Sequence, residues 1–199
     1  MIRELAKDLV ELIFDWGYLG IFMLMTVESS FIPFPSEIIL IPAGYLASEG
    51  KMSLILIMAS GLGGSMLGAF INYYLALLLG RKILVKFGKY FFIKESALDK
   101  MDNYFNKHGA ISTFTGRLIP GIRQLISIPA GLSKMHLGTF SFYTALGAGL
   151  WALILVLLGY YIGENQELID IYLKQIIYAI LTSLAILGFL YYKYQKNKG

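Results

Sequence analysis

Three stretches of the chain carry no charged residue at all: Met52 to Gly80, Leu137 to Gly163 and Gln175 to Tyr192. Each approaches or exceeds the ~20 apolar residues that cross the hydrocarbon of a bilayer. Spanning helices are therefore predicted over 53–80, 139–163 and 171–192. Trp16 to Val27 is also apolar but shorter, and Glu28 interrupts it. Gly17 to Ser30 reads as a helix that enters the membrane. Ahead of it, Arg3, Glu4, Lys7, Asp8, Glu11 and Asp15 interleave with Ile2, Leu5, Leu9, Val10, Leu12 and Ile13. That pattern predicts an amphipathic interfacial helix over 1–15. No small-residue cleavage site follows the first apolar run, so no secretory signal is expected.

Between these elements one pattern occurs twice. Pro33-Phe34-Pro35-Ser36-Glu37 leads to Pro42-Ala43-Gly44, and Pro120-Gly121-Ile122-Arg123 leads to Pro129-Ala130-Gly131. Pro33 to Pro120 and Pro42 to Pro129 are both intervals of 87 positions. Prolines remove backbone donors and kink helices, so neither segment reads as one straight span. A short helix, a turn and a return is expected at each: re-entrant hairpins at 31–48 and 110–134, with breaks at Pro33, Pro35, Pro42, Gly44, Pro120, Gly121, Pro129 and Gly131. Irregular backbone at membrane depth must be buried in protein or line a wet cavity.

The expected fold class is an all-α integral membrane protein, one membrane domain over 1–199. Repeats at 17–80 and 109–163 flank a basic segment at 81–108, and 171–192 is the final span, giving three to four spanning helices. The charge distribution orients them. Arg81, Lys82, Lys86, Lys89, Lys94, Lys100 and Lys107 crowd the central segment, and Lys193, Lys196 and Lys198 end the chain, whereas Glu164, Glu167 and Asp170 mark the last turn. By the positive-inside rule the central segment and C-terminus are cytoplasmic. The span after the first hairpin then runs inward and the one after the second runs outward, so the two repeats are inverted, which suits alternating access. The side of the N-terminus stays open: a fully crossing Gly17–Ser30 puts it inside, a hairpin-lining one outside.

Composition agrees with the pattern. Hydrophobic residues make up 57% and charged residues 15% of 199, a balance unlike a soluble domain's. Mean hydropathy is +0.65. With no cysteine, thiol catalysis and Cys-based metal sites are excluded. The basic residues flank spans without an aromatic reading surface, so no nucleic-acid partner is expected. Gly64/Gly68 and Gly159/Gly163 are small-xxx-small pairs, read chiefly as packing within the chain, with a homo-oligomer as the other use.

Four charges stand near the breaks: Glu28, Glu37, Arg117 and Arg123. Unpaired at depth they would together cost ~10 kcal/mol, so they must pair with one another or face water. On unbroken helices each like pair would diverge, at ~100° per residue. The intervening breaks let all four converge, two carboxylates facing two guanidiniums near the midplane. Arginine suits bidentate capture of a phosphate. A carboxylate taken out of water holds a proton more readily, so the glutamates are expected to couple protons. Buried ion pairs that merely pin the hairpins are the plainer reading of the same residues. Ser36 is read as a helix cap, Asn72 as an interhelical hydrogen-bonding residue, and His108 and His136 as solvated boundary residues. Gly63-Gly64-Ser65-Met66-Leu67-Gly68 misses the nucleophile-elbow spacing by one position and reads as packing. No catalytic constellation, metal site or cofactor is expected.

These residues resemble the DedA family, also called the SNARE-associated Golgi or VTT-domain family. The likeness rests on Glu28 before Pro33-x-Pro35-Ser36-Glu37, on Pro42-Ala43-Gly44, and above all on Phe114-Thr115-Gly116-Arg117-Leu118-Ile119-Pro120-Gly121-Ile122-Arg123 ending in Pro129-Ala130-Gly131. Trp151 and Gly159-Tyr160-Tyr161-Ile162-Gly163 also fit. It covers residues 10–165. The resemblance implies a bacterial inner-membrane protein that returns undecaprenyl phosphate across the membrane, or moves a phospholipid, in dependence on the proton-motive force. It also implies essential roles for two acidic and two arginine positions, which map onto Glu28, Glu37, Arg117 and Arg123. Glu37 follows Glu28 at a shorter interval than in some members, which have Asp there. The expected partners are thus a membrane lipid and protons. The other function the charges admit is a proton-coupled exporter of small cations or drugs.

Overall fold

The computed structural model describes residues 2–30, 35–88, 105 and 109–196, and they are helical with short connections. Among the described residues seven helices follow in order: α1 Ile2–Glu28, α2 Glu37–Ser48, α3 Leu54–Gly88, α4 Ala110–Arg117, α5 Ser127–Leu132, α6 Leu137–Ile162 and α7 Gln166–Lys196. Three stretches of the described residues are long and apolar enough to cross a membrane: Leu54–Gly80, Leu137–Ile162 and Glu167–Ile186. This is a multi-pass, all-helical membrane protein. Pro33, and most of the basic segment including its expected helix at 95–107, fall outside the described residues, although Phe105 is helical and buried.

The expected division of α1 coincides with a kink at Gly17, whose φ of 56° and ψ of −130° only glycine adopts readily. Beyond it, α1 lies along α3 in the same direction. A Cβ at Gly64 would overlap the Phe22 carbonyl, and one at Gly68 would lie 2.5 Å from the Thr26 carbonyl, four residues on in both helices. The Tyr18 hydroxyl accepts a hydrogen bond from the Ser53 amide at 2.7 Å, which ties the start of this arm to the start of α3. The C-terminal end of α2 leads directly into Ser53, so both arms of the first hairpin reach the same end of the bundle.

The second hairpin reaches the other end. Tyr73, nineteen residues beyond Leu54 in α3, donates its hydroxyl to the Met135 carbonyl at 2.6 Å. At 1.5 Å per residue Leu54 and Tyr73 lie about 28 Å apart along α3. Local structure recurs between the halves. Gly109, ahead of α4, has φ 56° and ψ −131°, matching Gly17. After α2, the Gly50 and Lys51 amides donate to the Ala47 and Leu46 carbonyls; after α5, the Lys134 and Met135 amides donate to Gly131 and Ala130. Gly50 and Lys134 both carry the positive φ that such a helix stop requires.

Four residues expected at breaks lie inside helices instead. Pro42 and Gly44 sit within α2, and Pro129 and Gly131 within α5. Pro129 occupies the first turn of α5, where a missing amide donor costs nothing. Pro42 forfeits one bond in a helix that packing sustains, since Ile39, Leu40, Ile41, Ala43 and Leu46 are all buried. The glycines serve close approach. A side chain at Gly44 would strike the Val156 backbone of α6, one at Gly159 the Ile41 backbone of α2, and one at Gly131 the Tyr73 backbone of α3. Each hairpin helix thus beds on the long helix of the other half. Both small-xxx-small pairs are spent inside the chain, Gly64/Gly68 on α1 and Gly159/Gly163 on α2.

Candidate functional site

The charged residues meet where the two hairpin breaks approach each other beside the middles of α3 and α6. Glu28 ends α1 and is 3% exposed; Glu37 opens α2; Arg117 ends α4 and is 3% exposed; Arg123 lies in the turn segment between α4 and α5 and is 8% exposed. With Met25, Ser29, Ser36, Ser65, Gln124, Ala148, Trp151 and Ala152, three of them line a cavity of about 20 Å³. That is room for a single water molecule.

Convergence is as expected, but the pairing is uneven. The Arg123 Nη2 lies 3.0 Å from Glu28 Oε1 and 3.7 Å from Glu37 Oε2, so one guanidinium serves both carboxylates. Its plane also lies 5.3 Å from the centre of the Trp151 ring, within cation–π range. Trp151 donates its indole N–H to Ser36 Oγ at 3.3 Å. Ser36 was expected to cap α2; its side chain makes no cap bond and turns to Trp151 instead. Arg117 differs. Its Nη2 donates to Ser127 Oγ at 2.7 Å, and no carboxylate among the described residues forms an ion pair with it.

Sequence reasoning missed several contributors. Gln124 Nε2 donates to Glu28 Oε1 at 3.2 Å and Ser29 Oγ to Glu28 Oε2 at 2.8 Å, so both oxygens of that carboxylate are hydrogen-bonded. A glutamine beside Arg123 inside an apolar segment was the available signal for the first; a serine beside Glu28 was too ordinary to stand out. Asn72, expected to bond between helices, bonds the turn segments instead: its Nδ2 donates to the Ser29, Ser30 and Gln124 carbonyls at 3.2, 2.9 and 3.0 Å. His136 stands at the N-cap position of α6 without a side-chain cap bond, and His108 is outside the described residues.

The unpaired atoms are informative. Among the described residues, the buried donors Arg117 Nε, Arg123 Nε and Arg123 Nη1 have no partner, and neither do the buried acceptors Gln124 Oε1 and Asn72 Oδ1. Buried polar groups in proteins are almost always satisfied. Three guanidinium nitrogens without acceptors among the described residues, around one small cavity, leave donors of the kind that bind oxyanions. At the rim, the Lys51 ammonium bonds Glu49 at 2.8 Å, holding that carboxyl below its usual range and the ammonium above its own.

Comparison with known proteins agrees with this geometry. The VTT domain matches residues 34–161, the stretch that holds both hairpin helices, α3, α6 and both arginines. The chain belongs to the VTT-domain, or DedA, family. An uncharacterised membrane protein of Bacillus subtilis (strain 168), YkoX, is 40% identical over 197 residues, covering 99% of this chain and 87% of the relative. A Bacillus subtilis protein named undecaprenyl phosphate transporter A is 36% identical over 165 residues, 82% of this chain and 81% of the relative. A Lactococcus lactis protein (strain MG1363) named alkaline phosphatase-like is 35% identical over 207 residues, 98% and 96% of the two chains. Despite that last name, the domain and the named transporters mark a family of membrane transporters and not of enzymes. No solved structure matches.

Proposed function

We propose that this VTT-domain protein is a lipid translocase that carries undecaprenyl phosphate from the outer to the inner leaflet of a bacterial cytoplasmic membrane. The observation that carries the reading is the set of three buried, partnerless guanidinium nitrogens on Arg117 and Arg123. A phosphate supplies acceptors for all of them, and the relative named undecaprenyl phosphate transporter A supports that cargo. Arg117, which forms no ion pair with a carboxylate among the described residues, is the primary grip. Arg123 joins it when Glu28 and Glu37 let go, and proton uptake by those two carboxylates is the means of release.

A one-water cavity does not admit a phosphate, so this conformation is the occluded one. Opening to either face is supported by the contacts of the two hairpins with α3, the first tied to its start through Tyr18 and Ser53 and the second to its far half through Tyr73 and Met135. We read the two hairpins as re-entrant from opposite leaflets and the halves as an inverted repeat. The basic segment and the C-terminus then lie in the cytoplasm. Because the Tyr18 end of α1 shares a rim with Ser53, the N-terminal segment belongs to the outer side. Export of small cations is not favoured, because both carboxylates are already engaged by Arg123 and the partnerless arginine groups are donors.

The test is reconstitution into liposomes holding fluorescent undecaprenyl phosphate or fluorescent phosphatidylethanolamine, at pH 6 and pH 8, with leaflet exchange followed by quenching. Accelerated exchange of the phosphate lipid, abolished in Arg117→Gln, is the expected result. Exchange no faster than in protein-free liposomes at either pH would sink the proposal.

A further inference from the structure

Asn72 is 1% exposed and stands in the second half of the apolar stretch of α3. All three groups around its carboxamide nitrogen are carbonyls, so the donor end must face them and its two protons serve three acceptors. These carbonyls are ones that broken helices leave over. Ser29 and Ser30 follow the last turn of α1, and Gln124 lies in the turn segment between α4 and α5. Away from water, each would otherwise cost several kcal/mol.

Their positions matter more than their number. Ser29 is the immediate neighbour of Glu28, and Gln124 of Arg123. Asn72 therefore holds the backbone one residue from each end of the 3.0 Å ion pair at the centre of the cavity. A shift of either carbonyl moves the adjoining Cα, and the charged side chain with it. The next residue, Tyr73, binds the Met135 carbonyl, and Gly131 beds on the Tyr73 backbone, so α3 anchors the second hairpin beside the same point.

We propose that Asn72 is a positioning residue: a clasp that joins the breaks of both hairpins, keeps Glu28 against Arg123, and holds the cavity shut. This rests on the reading of that cavity as the substrate chamber. Enlarging it from about 20 Å³ to phosphate size requires the breaks to part, and their parting requires Asn72 to release its carbonyls. The clasp sets the frequency of opening rather than the chemistry of the grip.

The chain has no cysteine, so one introduced thiol reports without background. Ser65, 3% exposed, lines the cavity from α3. In full-length protein in liposomes, Ser65→Cys is expected to react slowly with a small methanethiosulfonate. Adding Asn72→Leu, which keeps volume but removes the donor, is expected to speed the reaction about tenfold, the scale of one or two net hydrogen bonds. Asn72→Gln, which keeps the donor on a longer arm, is expected to restore part of the protection. A residue that only packs would give the reverse order, since the longer glutamine strains a filled site more than leucine does. An unchanged rate in Asn72→Leu, or a glutamine more permissive than leucine, overturns the clasp. Should the leucine variant fail to insert, Asn72→Met carries the same expectation. The thiol rate is independent of cargo: a responsive thiol in a protein that moves no undecaprenyl phosphate defeats the cargo reading and leaves the clasp standing.

Discussion

Arg117 and Arg123 carry the same charge into the same cavity, yet their surroundings give them different work. Arg123 is committed to Glu28 and Glu37, and removing it leaves the buried Glu28 and the partly buried Glu37 without their ion-pair partner. Loss of one member of a buried pair costs about 3–5 kcal/mol. Arg123→Gln is therefore expected to lower the thermal unfolding midpoint in detergent sharply, and Glu28→Gln added to it to recover most of that loss without restoring lipid exchange. Arg117 has only Ser127 to satisfy. Replacing it by glutamine breaks no ion pair among the described residues, so the loss of stability is expected to be smaller than for Arg123→Gln while exchange falls to background. Equal destabilisation by both substitutions would contradict the division. The four charges and their convergence were legible from spacing. Their unequal pairing was not, because Gln124 and Arg123 reach Glu28 across more than ninety residues of chain, and only tertiary placement decides which arginine arrives.

At the scale of elements, the doubled proline pattern marks the segments that hold α2 and α5, but four of its eight expected breaks lie inside those helices. A proline in the first turn of a helix and a proline at a break look alike in sequence, and α5 begins only two residues before Pro129. The glycines were legible as close-packing positions; what they pack against was not. Gly159 faces the Ile41 backbone across the seam between α2 and α6, with no space for a methyl group. Gly159→Ala is expected to force the helices apart and cost about 1–3 kcal/mol, as overpacking does, read as a lower midpoint in the same thermal assay. The two helix stops offer an opposite case. Gly50 takes the left-handed conformation freely, whereas Lys134 takes it at φ 53° with a side chain attached. Lys134→Gly is expected to stabilise by about 1 kcal/mol. A neutral or destabilising outcome there would mean that the lysine side chain makes compensating contacts.

For the whole molecule the decisive matter is which ends of the bundle share a side of the membrane. The rim of the first hairpin (Gly50, Lys51, Ser53) and the α6–α7 turn belong to one end, because Gly163 packs against Tyr45 of α2. The rim of the second hairpin, at Ser133 and Lys134, belongs to the other, by the Tyr73 bond to Met135. A chain without cysteines makes the assignment measurable. Lys51→Cys and Asn165→Cys are expected to react with a membrane-impermeant maleimide added to intact cells, and Lys134→Cys only after permeabilisation. The basic residues around positions 81–107 would then share the protected side with Lys134, as the charge bias requires. If Lys51→Cys and Lys134→Cys are labelled from the same side, both hairpins dip from one leaflet. A single central site would then open toward one face only, and with that the physical basis for carrying a lipid phosphate between leaflets would be gone, however well the arginines bind it.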